Sequence, residues 1–340
     1  MSLNIQFVQA SETTQQLVHS FIKEWENEQD FIEVKTSGST GIPKIIQLAK
    51  AHCIVSAKNT LSFLSLKEND AALLCLSMET IAGKMMVVRS IVGNLKLLVT
   101  EPTSNPLIGI EQAIDFAAMV PLQVEKIIAD SSIQLNLIDK LIIGGGPVSI
   151  QLIENLKKIN YTAFQTFGMT ETISHVALRK IGKETEEYFT ALSTVYFEES
   201  NLQLKIHYPG ILKEALLTND QVELYSPTTF KWLGRTDFII NSGGVKINPE
   251  EVESKLTTVI NVPFFIAGIP DERLGSKVIL MVESEEKINF NKEQLKKLIG
   301  SFAVPKTIYY CKKFERTTSG KINRINVLNL LSSMNYEAIL

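Results

Sequence analysis

The sequence predicts an α/β fold: a large N-terminal unit of mostly parallel sheet flanked by helices, then a small α+β unit. Three observations predict it. Strand-like and helix-like segments alternate through the first two thirds of the chain. Glycine-rich loops follow strand-like runs, as they do where parallel strands deliver ligands to their C-terminal ends. After Gly234-Arg235-Thr236-Asp237 the pattern changes to a compact α+β arrangement of about 100 residues, enough to fold separately. The expected units are 1–234 and 235–340.

Each element has a local reason. Residues 12–27 read as a helix with Ser11 as N-cap. Phe31-Ile32-Glu33-Val34 is a short β-prone run, and residues 50–66 carry a helical apolar pattern. The apolar run 71–77 suits a buried strand, a helix follows at 82–93, and Leu97–Thr100 reads as another strand. Lys140–Ile143 is a strand that runs into Gly144-Gly145-Gly146-Pro147, followed by a helix over 149–158. An apolar-aromatic strand ends at Gly168. Leu217-Thr218-Asn219-Asp220 has the composition of an acidic turn before the strand Val222–Tyr225. In the C-terminal unit Asn248-Pro249 starts a helix, proline suiting its first position. Strands at 263–269 and 277–283, a helix at 291–299, a strand at 307–311 and a polar tail complete it.

Composition excludes several classes. The chain has 340 residues, 45% hydrophobic and 21% charged, which suits a globular protein of about two domains. A net charge of −3 gives a nucleic-acid partner no electrostatic support. The N-terminus has no basic stretch leading into an apolar core, so a cytoplasmic location is expected. The apolar region 71–100 is interrupted by Glu79, Lys84, Arg89 and Lys96, so no membrane span is expected there. Cys53, Cys75 and Cys311 are odd in number and far apart, which suggests reduced thiols rather than a disulfide or zinc framework.

Five segments carry chemistry. Thr36-Ser37-Gly38-Ser39-Thr40-Gly41-Ile42-Pro43-Lys44 gathers two glycines, four hydroxyls and a lysine after a β-prone run. Glycines let consecutive N–H groups form an anion-binding concavity, hydroxyls add donors, and lysine adds a mobile charge. Only two residues separate its glycines, so it is not a Walker A loop. A polar surface loop would have a similar composition. In Gln165-Thr166-Phe167-Gly168-Met169-Thr170-Glu171-Thr172 a hydroxyl and a carboxylate follow a strand. They suit a phosphate and Mg²⁺, although a helix-capping turn would look alike. Asp220 could accept both hydroxyls of a ribose, or simply sit in a hairpin turn. Gly234-Arg235-Thr236-Asp237 and Ser242-Gly243-Gly244-Val245-Lys246 read as linker and site together. Lys321, in Thr318-Ser319-Gly320-Lys321, sits on a loop able to deliver it into a distant site, or belongs to a solvated tail.

In order, these segments resemble the adenylate-forming superfamily of acyl-CoA synthetases, luciferases and peptide-synthetase adenylation domains. The resemblance runs from about Val34 to Arg324, most of the chain. It implies a large N-terminal domain and a mobile C-terminal lid, with ATP, Mg²⁺ and coenzyme A as co-substrates and a small carboxylic acid as the group activated. It implies that Ser37 to Lys44 hold the β- and γ-phosphates, with Thr36 at the start of the loop. Gly144, Gly145, Gly146 and Pro147 would line the adenine pocket beside Thr166, Gly168 and Met169. Thr170 would touch phosphate, Glu171 would bind Mg²⁺, and Asp220 with Arg235 would hold the ribose. Asp237 matches the hinge, Lys321 the adenylation lysine, and Ser242, Gly243, Gly244 and Lys246 the pantetheine channel. A homodimer is an expectation of the superfamily only.

The chain departs from the superfamily pattern in three places. Only 35 residues precede Thr36, far fewer than usual, so an N-terminal subdomain is expected to be largely missing. Phe167 stands where tyrosine is commoner, and Asn219 where glycine is usual. The segments 77–89 and 172–179 resemble the o-succinylbenzoate–CoA ligase group in its shortened form. That implies Arg89, or Lys84, for the acid's second carboxylate, with Ser174 or His175 nearby. An unpaired buried charge is costly, so a fatty-acyl pocket would have little use for an inward cation. Other aryl- or acyl-CoA ligases, amino-acid activators and a non-catalytic nucleotide-binding relic are the alternatives. An amino-acid activator needs a pocket acid, and Glu79 is the only acid in 76–83.

Overall fold

The computed structural model describes residues 3–35, 45–316, 322–331 and 334–338. The larger sheet contains β1 (Ile5–Phe7), β4 (Ala71–Leu74), β5 (Lys96–Val99), β6 (Ile114–Met119), β7 (Ile138–Ile143) and β8 (Thr162–Met169). It continues through β9 (Ser174–Gly182), β10 (Phe189–Ala191), β11 (Tyr196–Ser200), β12 (Gln203–His207), β13 (Leu216–Ser226) and β14 (Thr229–Arg235). A separate hairpin pairs β2 (Phe31–Lys35) with β3 (Ile45–Ala49). The sheet order is β1-β5-β4-β6-β7-β8-β9-β10-β14-β13-β12-β11, parallel up to β8 and antiparallel beyond.

Side-chain alternation divides the parallel half into two buried faces. Ala72, Leu74, Leu97, Val99 and Phe116 pack against α1 (Glu12–Glu26), α2 (Lys50–Phe63) and α3 (Ile81–Gly93). Leu73, Leu98, Ala117, Leu141 and Ile143 face α4 (Pro121–Ser131) and α5 (Ile150–Lys158). Buried on both sides, these strands read as continuous apolar runs. The chain leaves β4 outward to β5 and returns on the other side at β6, so the order reverses beside β4. Such a reversal opens a crevice at the strand C-termini.

Local signals set the helix ends. The Ser11 hydroxyl accepts from Thr14 N, and Thr80 caps α3 by accepting from Gly83 N at 3.3 Å. Gly83 itself is dictated by packing, because a Cβ there would collide with the Ser77 carbonyl.

The second sheet starts with the hairpin β15 (Ile240–Ser242) and β16 (Val245–Ile247). After α6 (Pro249–Leu256), β17 (Phe264–Asp271) and β18 (Gly275–Glu283) pair antiparallel. α7 (Lys292–Ile299) leads to β19 (Thr307–Cys311), then α8 (Arg324–Asn329) and β20 (Asn335–Ala338). Ile266, Leu280 and Ile308 pack with α6 and α7 on one face; Phe265, Ile279 and Met281 pack with Val327 on the other.

Three sequence expectations are corrected. The strand expected over 71–77 ends at Leu74, and residues 75–77 form the loop that Thr80 bonds back to through Ser77 O. The expected turn at 217–220 lies inside β13, with Thr218, Asp220 and Val222 buried in alternation. Period-two burial outweighs the turn-forming composition of Thr-Asn-Asp. The expected polar tail contains α8 and β20, and β20 adds an antiparallel strand to β19. Among the described residues no helix is long and apolar enough to cross a membrane.

Candidate active site

Parallel pairing sets β7 and β8 side by side with Ile143 opposite Gln165, so their C-terminal loops adjoin. Gly144 N donates to Met119 O at 3.0 Å, tying the loop to β6 as well. A Cβ at Gly144 would collide with Thr166 Oγ1, and Gly145 has φ +77°. The backbone requires glycine at 145, and a side chain at 144 would displace the Thr166 hydroxyl, so bare peptide groups remain where three strands end. Pro147 is exposed and Gly146 half-buried beside Pro121. This surface can accept a flat ring.

The segment after β8 is a strained turn. Gly168 lies opposite His175 at a register shift, and a Cβ there would strike Ser174 O and His175 Cα. Thr172 Oγ1 lies within hydrogen-bond reach of Ser174 O (2.8 Å) and Met169 O (3.0 Å), its one proton shared between them, and it accepts from Met169 N at 3.1 Å. Ile173, a buried β-branched residue, takes φ +62°, and Ser174 takes φ +144°. Left-handed backbone at such a residue costs energy, and the closed Thr172 bonds hold it. The turn leaves Glu171 exposed and Thr170 half-buried at its crest, and it directs Ser174 inward.

Asp220 is buried on β13 opposite Arg235 of β14. Trp232 Nε1 donates to Asp220 Oδ1 at 2.9 Å, and Asp220 N donates to Thr218 Oγ1. Burial raises the Asp220 pKa above the usual carboxylate value, opposed by the Trp232 bond and the Arg235 charge. Arg235 Nη1 stands 3.6 Å from Asp220 Oδ2, while its Nε and Nη2 grip Asp237 bidentately at 2.9 and 2.7 Å. Burial raises the Asp237 pKa, but the Arg235 bonds outweigh it and hold the group low. Thr236 Oγ1 donates to Asn219 O, closing the segment onto β13.

A second polar cluster is buried beneath the strained turn. Arg89 of α3 is 2% exposed. Its Nη2 donates to Ser174 Oγ at 3.0 Å, and Nη1 approaches Met86 Sδ at 3.8 Å. Among the described residues its Nε has no hydrogen-bond partner and no carboxylate pairs with it. Desolvation lowers its pKa to about 10, so it remains a cation at neutral pH. His175 bridges Ser174 Oγ (Nδ1, 3.3 Å) and Thr60 Oγ1 of α2 (Nε2, 3.0 Å). Burial first, and the Arg89 charge second, hold its pKa well below the ordinary histidine value. Asn59 Nδ2 donates to Tyr208 Oη at 2.9 Å beside them.

The structure separates the two candidate cations. Lys84 is turned away from this cluster: it pairs with Glu24 of α1 at 3.2 Å, donates to Glu33 O, and lies over Phe21. It fastens α3 to α1 and β2. Arg89, Ser174 and His175 come together. Ser242, Gly243 and Gly244 form the tight turn between β15 and β16, with φ +57° and +81° at the glycines; Lys246 is exposed on β16. Thr36, Ser37, Gly38, Ser39, Thr40, Gly41, Lys44 and Lys321 lie outside the described residues.

Sequence reading missed Trp232, Thr60, Asn59 and Tyr208. Trp232 had a usable signal, since it alternates along a strand toward Gly234-Arg235. Asn59 and Thr60 had only the presence of polar residues on a helix with a buried face, and Tyr208, just past β12, had no comparable signal. A cavity of about 450 Å³ lies apart from both clusters, lined by Cys311, Phe314, Arg316 and Val327 in the smaller sheet unit.

Residues 26–204 match the profile of the AMP-binding enzyme family. The 2-succinylbenzoate–CoA ligase of Oceanobacillus iheyensis is 25% identical over 331 residues, covering 87% of this chain and 69% of that one. Among solved structures, the acyl-CoA synthetase (AMP-forming)/AMP-acid ligase II-like protein of Dyadobacter fermentans is 33% identical with a TM-score of 0.64, covering 95% of this chain and 96% of its own. The o-succinylbenzoate coenzyme A synthetase of Bacillus subtilis, in complex with ATP and magnesium, shares the fold with a TM-score of 0.75 at 20% identity, covering 88% of this chain and 69% of that one. With more than half its length matched by the family profile, this chain belongs to the AMP-binding enzyme family.

Proposed function

We propose that the protein activates o-succinylbenzoate with ATP and transfers the acyl group to coenzyme A. The observation that carries this reading is Arg89, a desolvated guanidinium with an unfilled Nε and no carboxylate partner among the described residues. A buried cation without a counter-charge is expensive unless a ligand supplies one. The ring carboxylate of o-succinylbenzoate is such a ligand, and the aliphatic carboxylate then remains free to react. The relatives named 2-succinylbenzoate–CoA ligase support the same choice.

In the first half-reaction an oxygen of the aliphatic carboxylate attacks the α-phosphorus of ATP, and pyrophosphate leaves with the bridging electrons. The carboxylate is already ionised at neutral pH, so no general base is required. Negative charge accumulates on the phosphoryl group, and fixed donors stabilise it. Lys44 and the hydroxyls of 36–40 serve the β- and γ-phosphates, Thr170 contacts phosphate, and Lys321 bridges the carboxylate and the α-phosphate. Asp220, held by Trp232, takes the ribose hydroxyls with Arg235 beside it. The bare backbone of 144–147 faces the adenine.

The residues fit Mg²⁺. Among the described residues no group of three His, Cys, Asp or Glu forms a protein-only metal cage. Mg²⁺ commonly uses one or two carboxylates plus substrate phosphates, and exposed Glu171 supplies one. The ion neutralises the phosphate charge.

In the second half-reaction the coenzyme A thiolate attacks the acyl carbonyl, AMP leaves, and a thioester forms. The 235–340 unit swings about Asp237 between the two steps, bringing Ser242, Gly243, Gly244 and Lys246 to the pantetheine.

The test combines purified protein with ATP, Mg²⁺, coenzyme A and a panel of acids, reading pyrophosphate release and thioester mass. A thioester from o-succinylbenzoate supports the proposal; turnover confined to another acid overturns the substrate. Lys321→Ala should impair adenylation far more than thioester formation from supplied adenylate, and equal losses would remove its assigned role.

A further inference from the structure

Four side chains from three elements form one hydrogen-bonded line: Thr60 on α2, His175 and Ser174 at the start of β9, and Arg89 on α3. Their proton positions follow from the contacts. The Thr60 hydroxyl lies 3.2 Å from Ser56 O, one turn back along α2. A hydroxyl has one proton. Were that proton given to His175, the lone pairs of Thr60 Oγ1 and the Ser56 carbonyl would face each other. Thr60 therefore donates to Ser56 O and accepts from His175. Nε2 of His175 must carry its proton, and Nδ1 must be an acceptor. Among the described residues Nδ1 has one hydrogen-bond partner, Ser174 Oγ, so the Ser174 proton points to His175 and its lone pairs point to Arg89.

We infer that His175 is a positioning residue for acyl-substrate recognition: it fixes the Ser174 hydroxyl as an acceptor for Arg89 Nη2, which orients the guanidinium with its Nε–H free to receive the substrate's second carboxylate. The inference rests on the reading that Arg89 binds that carboxylate. It assigns Ser174 a different part from a donor to substrate, because its one proton is committed to His175. A buried, neutral imidazole is consistent with this, since desolvation and the Arg89 charge both oppose protonation.

The specificity that results is for an anion. An acid lacking the ring carboxylate, such as 4-phenyl-4-oxobutanoate, has nothing to place against Arg89. The parent enzyme should prefer o-succinylbenzoate to it in kcat/KM by about 100-fold or more, since a site built for a polar group rejects analogues that leave it unpaired.

The two substitutions that test His175 differ in which ring nitrogen they imitate. Asn places its oxygen near the Nδ1 position and can accept from Ser174. Gln reaches the Nε2 position and leaves Ser174 without its acceptor. His175→Gln should reduce the preference about tenfold, mainly through KM for o-succinylbenzoate, whereas His175→Asn should retain it within about threefold. Equal losses in both variants would overturn the inference. Nitrogen-15 NMR of the free protein, with the His175 signals assigned by their loss in the Asn variant, gives a readout that needs no substrate and no variant activity. A neutral ring protonated on Nε2 is expected; protonation on Nδ1, or on both nitrogens, would overturn it. If the parent shows no preference between the two acids while the Nε2–H form is found, the Arg89 reading fails and the hydrogen-bonded line stands.

Discussion

The indole of Trp232 holds the Asp220 carboxylate through a single 2.9 Å bond across neighbouring strands. Asp220 is buried, and the cation beside it, Arg235, stands 3.6 Å away and is engaged mainly by Asp237. Trp232→Phe keeps the apolar body and removes the donor. It should weaken ATP binding by about 10- to 150-fold, the usual worth of one hydrogen bond to a charged group. Titration calorimetry of ATP against parent and variant checks this; unaltered affinity would show that the indole does not orient the carboxylate.

On the proposed role of Arg89, stability and function pull against each other. Its guanidinium is buried without a counter-charge among the described residues. Arg89→Met should stabilise the fold by about 1–3 kcal/mol, because replacing buried charge with a packed apolar side chain is often favourable. The same variant should raise KM for o-succinylbenzoate by about 100-fold. Urea unfolding and steady-state kinetics measure the two effects, and a destabilised Arg89→Met would mean that the cation is compensated in the free protein.

Gly168 marks where β9 crowds β8. A methyl group there meets Ser174 O and His175 Cα, which are backbone atoms and cannot swing aside. Gly168→Ala should destabilise the protein by about 2–4 kcal/mol and displace Thr170 and Glu171 enough to lower the adenylation rate at least tenfold. Wild-type pyrophosphate release from a folded Gly168→Ala protein would show that the turn has freedom this packing denies it.

His175 gives the stability a pH dependence of known sign. The folded imidazole holds its proton less tightly than the unfolded one, because of burial and then the Arg89 charge. The unfolded chain therefore binds more protons below about pH 6.5, and stability falls as pH drops through that value toward the folded pKa, by at most about 1.4 kcal/mol per unit. The groups facing the ring are Arg89, Ser174 and Thr60. His175→Asn removes this contribution, so its stability gap to the parent should narrow between pH 7 and pH 5. Denaturant melts at three pH values suffice, and a constant gap would contradict a neutral buried ring.

Much of the parallel half was legible because each unit carries its own signals. Ser11 and Thr80 cap their helices, and β7 reads as an apolar run broken by three glycines. Asp220 was placed in a turn because Thr-Asn-Asp has turn composition, while its burial depends on pairing with β14, a partner that nothing within residues 217–220 specifies. α8 and β20 were lost for a similar reason, since β20 is defined by pairing with β19 some twenty-five residues earlier. The cluster around Arg89 was half legible. Its members on α3 and β9 were found, but Thr60 meets His175 across 115 positions of sequence, and nothing local to α2 says which strand its polar residues meet.

Arg235 holds Asp237 with two bonds and keeps Asp220 within reach of a third nitrogen. One cation thus serves two carboxylates, one on the last strand pair of the large sheet and one in the short segment before β15. A ligand that draws the guanidinium toward Asp220 loosens its hold on Asp237. Thermodynamic reciprocity makes the effect mutual: whatever factor nucleotide binding applies to the connection between the sheets, a change in that connection applies to nucleotide affinity. On the proposed placement of the ribose at Asp220, the tightness with which ATP is held and the angle at that short segment become a single equilibrium, read from its two ends.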